Sequence, residues 1–449
     1  MQIFFLIIII FTLAIALCYA INNRVKMIYF FLFMVMFQNI IAIIFCKYIP
    51  PLYNTIFSII KEVMLYIALI LYTVKNGKIK INKKNQLNII FLSIYILTLF
   101  KNLIDTPAGV SSSILSLRYM LVPILCIYVG KNIYINSNEC KVFLRRLITF
   151  SIVLSILGLI EMYILGDSFW VKIGYSTYAV KMKGSYTHNL FRGVTVNFYT
   201  WDFFGKPLRR MVSITADPLA TAFLVYLGAL IILTGGISLK NRNGKLNGNF
   251  VVLIFLIISS ILSLSKAIFV LIALTILICA YFYKWLPKGL LRIATAIFLV
   301  FFAYTMRSYV ANTDVTTSSL NHITGLLNGF STSGWIGNGL GTAGSSVIML
   351  TGTESDVSES YIGALFSQVG IVGGVSFIMF LLMQIRQLVK LYKIYKSQFV
   401  ILALVCLIGI MVCMIFSDSA VSIMGTGIYF IIIGMAQQIQ LYQDERNVE

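Results

Sequence analysis

Charge is scarce in this chain. Only 11% of its 449 residues are Asp, Glu, Lys or Arg, against roughly 25% in soluble domains. Hydrophobic residues make up 59%, and the mean hydropathy is +0.92. An ordinary water-soluble enzyme is excluded, and so is a nucleic-acid-binding reading. Histidine is nearly absent. His188 and His322 stand far apart without Cys or His neighbours at metal-ligand spacing, so no metal centre and no cofactor are implied. The seven cysteines are odd in number and avoid the two longest loops, which argues against a disulfide framework. No basic residue precedes the first apolar run, so the N-terminus reads as an uncleaved span.

What is abundant is long unbroken apolar sequence. A transmembrane β-barrel would show short alternating segments instead. Stretches long enough to span a bilayer as helices lie near 3–20, 27–46, 54–74, 87–104, 113–130, 147–165, 211–235, 249–264, 267–283, 289–306, 360–385, 398–416 and 419–438. The expected fold is an all-α polytopic membrane protein of about 13 helices, with 12 to 14 allowed, forming one transmembrane domain over 1–449.

The 35 Lys and Arg against 15 Asp and Glu then set the orientation. Basic residues cluster after spans one, three, five, seven, nine and eleven, for example Arg24 and Lys26, Lys131, Lys141, Arg145 and Arg146, and Arg386 to Lys396. The positive-inside rule makes these loops cytoplasmic, with the N-terminus outside and the C-terminus inside. Two long loops, 166–209 and 307–358, fall on the outer side. No internal repeat and no soluble domain is evident, so the outer face carries the chemistry.

Some cations lie where this rule does not explain them: Arg118 within span five, Arg209 and Arg210 opening span seven, and Lys266 between spans eight and nine. A charge inside a bilayer costs ~2.5–3.5 kcal/mol on insertion scales, and such charges tend to mark function. Together they would form an anion site, for which arginine's fork suits phosphate. Snorkelling of each side chain to the interface is the plainer alternative. Among acids, Glu359 opens span eleven, where it serves as a general base or simply as an N-terminal helix acid. Asp217, just before Pro218, reads as an arginine's partner, and Ser360 as a helix cap. The aromatics of the first long loop, including Tyr186, Phe191, Phe198, Tyr199 and Trp201, suit either sugar stacking or an interfacial belt. The glycines of GWIGNGLGTAG (334–344) lack a following Walker lysine, which argues against a nucleotide cradle.

Taken in order, RRMVSITADPLATAF (209–223), SLSKAIFVLIAL (263–274), GNGLGTAG followed by SESYIGALFSQVGIVGG, and the helix starting RYMLVPILCIYVG at Arg118 resemble the O-antigen polymerase and O-antigen ligase superfamily. Arg210 and Pro218 match an Arg-x₇-Pro entry into a helix, and Lys266 stands where the family has arginine. Ligases have a His-Asn pair where this chain has Glu359-Ser360, so the likeness is nearer to the polymerases. It covers roughly 110–375.

The resemblance implies a GT-C-type, metal-independent glycosyltransferase at the outer face of a bacterial inner membrane. Its substrates would be polyprenyl-pyrophosphate-linked oligosaccharides, with membrane lipids and a chain-length regulator protein as further partners. A hydroxyl of one lipid-linked unit would attack the anomeric carbon of another, releasing polyprenyl pyrophosphate. Arg118, Arg209, Arg210 and Lys266 would hold the pyrophosphate, Arg210 also assisting its departure. Glu359 would be the base, with His322 the second choice, and Asp217 and Ser360 accessory. A lipid-linked oligosaccharide flippase or transporter, and an O-antigen ligase, are the alternatives. Clustering of charge toward one face favours the enzyme, because transporters place charge near the midplane.

Overall fold

The computed structural model describes residues 2–22, 24–76, 86–133, 136–183, 190–201, 206–236, 247–284, 287, 289–290, 292–293, 295–296, 318–344 and 360–438. The chain is an all-α multi-pass membrane protein in its architecture. Among the described residues, nine helices are long and apolar enough to cross a bilayer. The helices are α1 (Gln2–Asn22), α2 (Arg24–Cys46), α3 (Pro51–Asn76), α4 (Gln86–Ile104), α5 (Val110–Lys131), α6 (Ser137–Ile160), α7 (Gly166–Lys172) and α8 (Tyr175–Lys183). They continue with α9 (Pro218–Leu233), α10 (Gly248–Ile261), α11 (Lys266–Tyr283), α12 (Ser318–Thr332), α13 (Tyr361–Tyr395), α14 (Gln398–Phe416) and α15 (Gly427–Ala436). Two small antiparallel pairs of two-residue strands, β1 (Leu190–Phe191) with β2 (Val194–Thr195) and β3 (Tyr199–Thr200) with β4 (Leu208–Arg209), fold the first long loop.

The chain divides into two compact units. One comprises residues 1–79, 124–268 and 423–449, the other 80–123 and 269–422. In the first unit α1, α2 and α3 pack on one another, and α6 packs on α9 and α10. Glycines set a close crossing of α5 and α15: a Cβ on Gly130 would lie 2.1 Å from the Ile431 carbonyl oxygen, and one on Gly434 2.1 Å from that of Ile127. Such small-residue approaches let membrane helices gain dispersion contact without side chains between them.

Helix starts follow local chemistry. Asn136 and Glu139 form a reciprocal capping box on α6, with bonds of 2.8 and 2.9 Å. Asp217 caps α9 by accepting from the Leu219 and Ala220 amides, with Pro218 next to it in the first turn. Span seven therefore begins at Pro218 and not at 211. Residues 213–215 form a 3₁₀ turn, held because Ser213 (φ 53°) and Ala216 (φ 55°) are left-handed. Span six starts earlier than expected and runs on through a π-helical turn, Glu161–Leu165, into α7. The stretch 166–183, expected as loop, is thus largely helical. The last span is shorter than expected, a 3₁₀ turn at Asp418–Val421 followed by the ten-residue α15.

In the second unit α13 packs along α4, α12 and α14. Gly329 of α12 and Gly363 of α13 touch backbone to backbone: a Cβ on Gly329 would lie 2.3 Å from the Gly363 carbonyl oxygen. Helix α13 is broken at Gly370 (φ 73°). There the amides of Ile371 and Val372 donate to the carbonyls of Gly334 and Trp335, so the glycine loop satisfies groups that the kink releases.

Candidate functional site: the Arg209–Arg210 loop and the Lys266 turn

The π-turn ending α6 carries Glu161, only 1% exposed. Its carboxylate accepts from the Trp170 indole at 2.6 Å and from the Val212 amide at 3.3 Å, and meets the Arg209 guanidinium at 2.5 Å. Arg209 also faces Asp167 across 3.0 Å, an ion pair whose approach is off the axis of a good hydrogen bond and leaves both atoms without one. Its guanidinium lies over the Phe198 ring at 4.8 Å. Tyr199 donates its hydroxyl to Asp167. Burial, and then that bond, push the Tyr199 phenol above its ordinary value, so it stays protonated. Arg209 is therefore neutralised by two carboxylates, and its role is to tie the loop to α6 and α7.

Arg210, 8% exposed, is placed differently. Its Nε donates to the Ser263 carbonyl at 2.8 Å, and its Nη1 to the Asn197 side-chain oxygen at 2.8 Å. Both of these acceptors are neutral oxygens. Its neighbour Met211 donates its amide to the Leu262 carbonyl at 3.0 Å. The loop is thus zipped to the turn 261–265, and Lys266, half-buried, begins α11 directly after that turn. Arg210 and the start of the Lys266 helix are brought together in the first unit.

The backbone here is strained: Ser213, Ala216 and Leu264 all adopt positive φ without being glycine, at ~1–2 kcal/mol each. The cost is offset by bonds from separate elements. Ser213 donates to the Leu154 carbonyl at 2.9 Å, and Asn39 of α2 donates to the Thr215 carbonyl at 2.6 Å. Asp217 does not pair with an arginine; it is the α9 cap, and the arginine's partners are Glu161 and Asp167.

The aromatics of the first long loop are largely interior. Phe198 and Tyr199 are buried, and Phe198 packs at 5.6 Å on Trp170 and 4.7 Å on Tyr175, which are themselves fully buried. Phe191 and Trp201 are half-buried with rings 5.6 Å apart. Tyr186, Phe203 and Phe204 lie outside the described residues.

The remaining candidates belong to the second unit. Arg118 is half-buried on α5, two residues beyond the buried Ser116. Ser360 is fully buried and caps α13, accepting from the Gly363 amide at 3.1 Å. His322 falls within α12. Glu359 lies outside the described residues. The glycine loop packs against protein. Leu340 donates its amide to the Asn102 carbonyl at 2.8 Å, while its own carbonyl accepts from Thr106 and Ser113. A Cβ on Gly341 (φ 83°) would lie 2.7 Å from the Ser113 amide nitrogen.

Two groups escaped sequence reading. Glu161 is one; its signal was an acid inside an apolar span. The other is Lys61 with Glu62, both buried within α3. Lys61 donates to the Gln38 side-chain oxygen at 3.0 Å and to the Ser58 carbonyl at 2.7 Å. Charge therefore does not gather at one face alone, which corrects that expectation. Among the described residues no group of three or more His, Cys, Asp or Glu could hold a metal ion. No protein-family model matches the chain, and no curated protein matches it significantly.

Proposed function

We propose that the chain is a metal-independent glycosyltransferase of GT-C type, with about 13 spans, that polymerises polyprenyl-pyrophosphate-linked oligosaccharides at the outer face of a bacterial inner membrane. The observation that carries this reading is Arg210. It is a buried cation, held by the Ser263 carbonyl and the Asn197 side chain, fixed to the turn that starts the Lys266 helix, within a strained loop tied to α2, α6 and that turn. Fixed positive charge in a place of limited water access is what a departing pyrophosphate requires.

The transfer needs little else. The hydroxyl of one lipid-linked unit bonds to the anomeric carbon of the donor chain, the bond from that carbon to the pyrophosphate oxygen breaks, and polyprenyl pyrophosphate leaves. The leaving group needs no proton, so one base suffices, unlike the carboxylate pair of glycosidases. Glu359 takes the hydroxyl proton in this reading, with His322 the second choice, and Arg118 is a further phosphate ligand. Arg209 is removed from the phosphate set, because two carboxylates already hold its charge.

The test is purified protein supplied with lipid-linked repeat units, with products read by length. Polymer on the polyprenyl carrier is expected from the unaltered protein. Arg210→Ala should yield none while remaining in the membrane, and Arg210→Lys should recover part of the activity. Normal chain lengths from Arg210→Ala would remove that residue from the site, and an inactive unaltered protein would overturn the reading.

The second reading, a transporter of lipid-linked oligosaccharides, is favoured by Lys61 and Glu62 buried inside a span. Cells lacking the protein separate the two. Single units reach the outer surface if the protein polymerises, and stay on the cytoplasmic side if it flips them.

A further inference from the structure

At the end of the first unit opposite Arg210, residues of α2 and of the start of α6 line a groove of about 400 Å³, within the size range of small-ligand sites. Lys26, Tyr29, Asn136, Glu139, Val142 and Arg146 line it. Lys26 and Arg146 are exposed, one from each wall. Arg146 lies over the Tyr29 ring at 4.9 Å. That cation–π contact holds the guanidinium at the groove wall, and the N–H fork of an arginine suits phosphate oxygens. The one acid, Glu139, is engaged in the α6 capping box, its carboxylate accepting from the Asn136 amide at 2.9 Å. The positive end of the α6 dipole points at the same groove.

An apolar track leaves the groove along the helices that form it. Val142, Val153, Ile156 and Ile160 are exposed at helical spacing on α6, and Phe33 is exposed one turn beyond Tyr29 on α2. A cationic groove that opens onto an exposed apolar stripe matches a molecule with an anionic head and hydrocarbon tails. We propose that this groove binds an anionic glycerophospholipid, its phosphate held by Arg146 and Lys26 and its acyl chains lying along the α6 stripe. Basic pockets between membrane helices at the cationic side of a protein take such headgroups. The site is independent of the glycosyltransferase reading and stands or falls separately.

Native mass spectrometry of the purified full chain tests it, with phosphatidylglycerol and phosphatidylcholine of identical acyl chains as probes. The unaltered protein should retain phosphatidylglycerol several-fold better. Lys26→Gln and Arg146→Gln should each lower that preference, and the double variant should abolish it. Arg145→Gln removes the same charge from the neighbouring exposed position and should leave the preference intact. The proposal is overturned if both lipids are held equally, if neither single variant lowers the preference, or if Arg145→Gln lowers it as much as Arg146→Gln does. Displacement of the lipid by inorganic phosphate alone would also overturn it, marking a simple anion site.

Discussion

Two adjacent arginines with the same charge hold different positions, and the difference lies in what surrounds each. Arg209 meets Glu161 and Asp167, and removing it strands two carboxylates, of which Glu161 is almost wholly buried. Breaking a buried ion pair from one side typically costs about 3–5 kcal/mol. Arg209→Ala should therefore lower the thermal midpoint in detergent and the amount of protein in the membrane. Arg209→Ala combined with Glu161→Gln should recover part of the loss, because the stranded charge goes with it. A single variant as stable as the parent would mean that the cluster does not hold the loop. The pair 209–210 was visible in the sequence as cations at a span entrance. That Arg209 is the one tied to Glu161 was not visible, because Glu161 stands 48 positions earlier and nothing local links them.

At the scale of elements, hydropathy located most spans and misplaced several of their ends. Met211 and Val212 are apolar and so read as membrane helix in the sequence, and they are fully buried in the structure. They precede α9 because left-handed residues at 213 and 216 and the Asp217 cap delay the helix start. The cap is written in the sequence as Asp-Pro, a helix-start signal, where acidity alone suggests charge pairing. The same holds for glycine. The run 334–344 resembles a ligand loop by composition, yet Gly337, Gly339 and Gly341 are required because backbone meets backbone there. Gly337 (φ 96°) lies so close to α13 that a Cβ would be 2.3 Å from the Gln368 carbonyl oxygen. Gly337→Ala and Gly363→Ala should both destabilise, since each forces main chain to move and not merely a side chain. Gly334→Ala, where a Cβ meets nothing within 4 Å, should be tolerated. Thermal midpoints of the three variants check this. A Gly337→Ala midpoint equal to that of Gly334→Ala would show that the loop is loosely seated.

Across the whole molecule, the distribution of charge is the feature from which both sites take their meaning. Within the first unit α6 runs from a basic half, with Lys141, Arg145 and Arg146 among its first ten residues, to Glu161 and the Arg209–Arg210 loop past its end. A helix of 24 residues is about 36 Å long, so it separates the two ends by a full bilayer. The excess of Lys and Arg at one end predicts that this end faces the cytoplasm, and the transfer chemistry needs the other end to face out. Introduced cysteines decide the matter, placed at Arg145 and at Lys206, both exposed, in a background with the seven native cysteines replaced. In intact spheroplasts a membrane-impermeant maleimide should label position 206, while position 145 should react only after lysis. The reverse pattern would turn the Arg210 loop toward the cytosol. A polymerase acting on units already carried across the membrane would then be ruled out, and the lipid groove would be moved to the opposite leaflet.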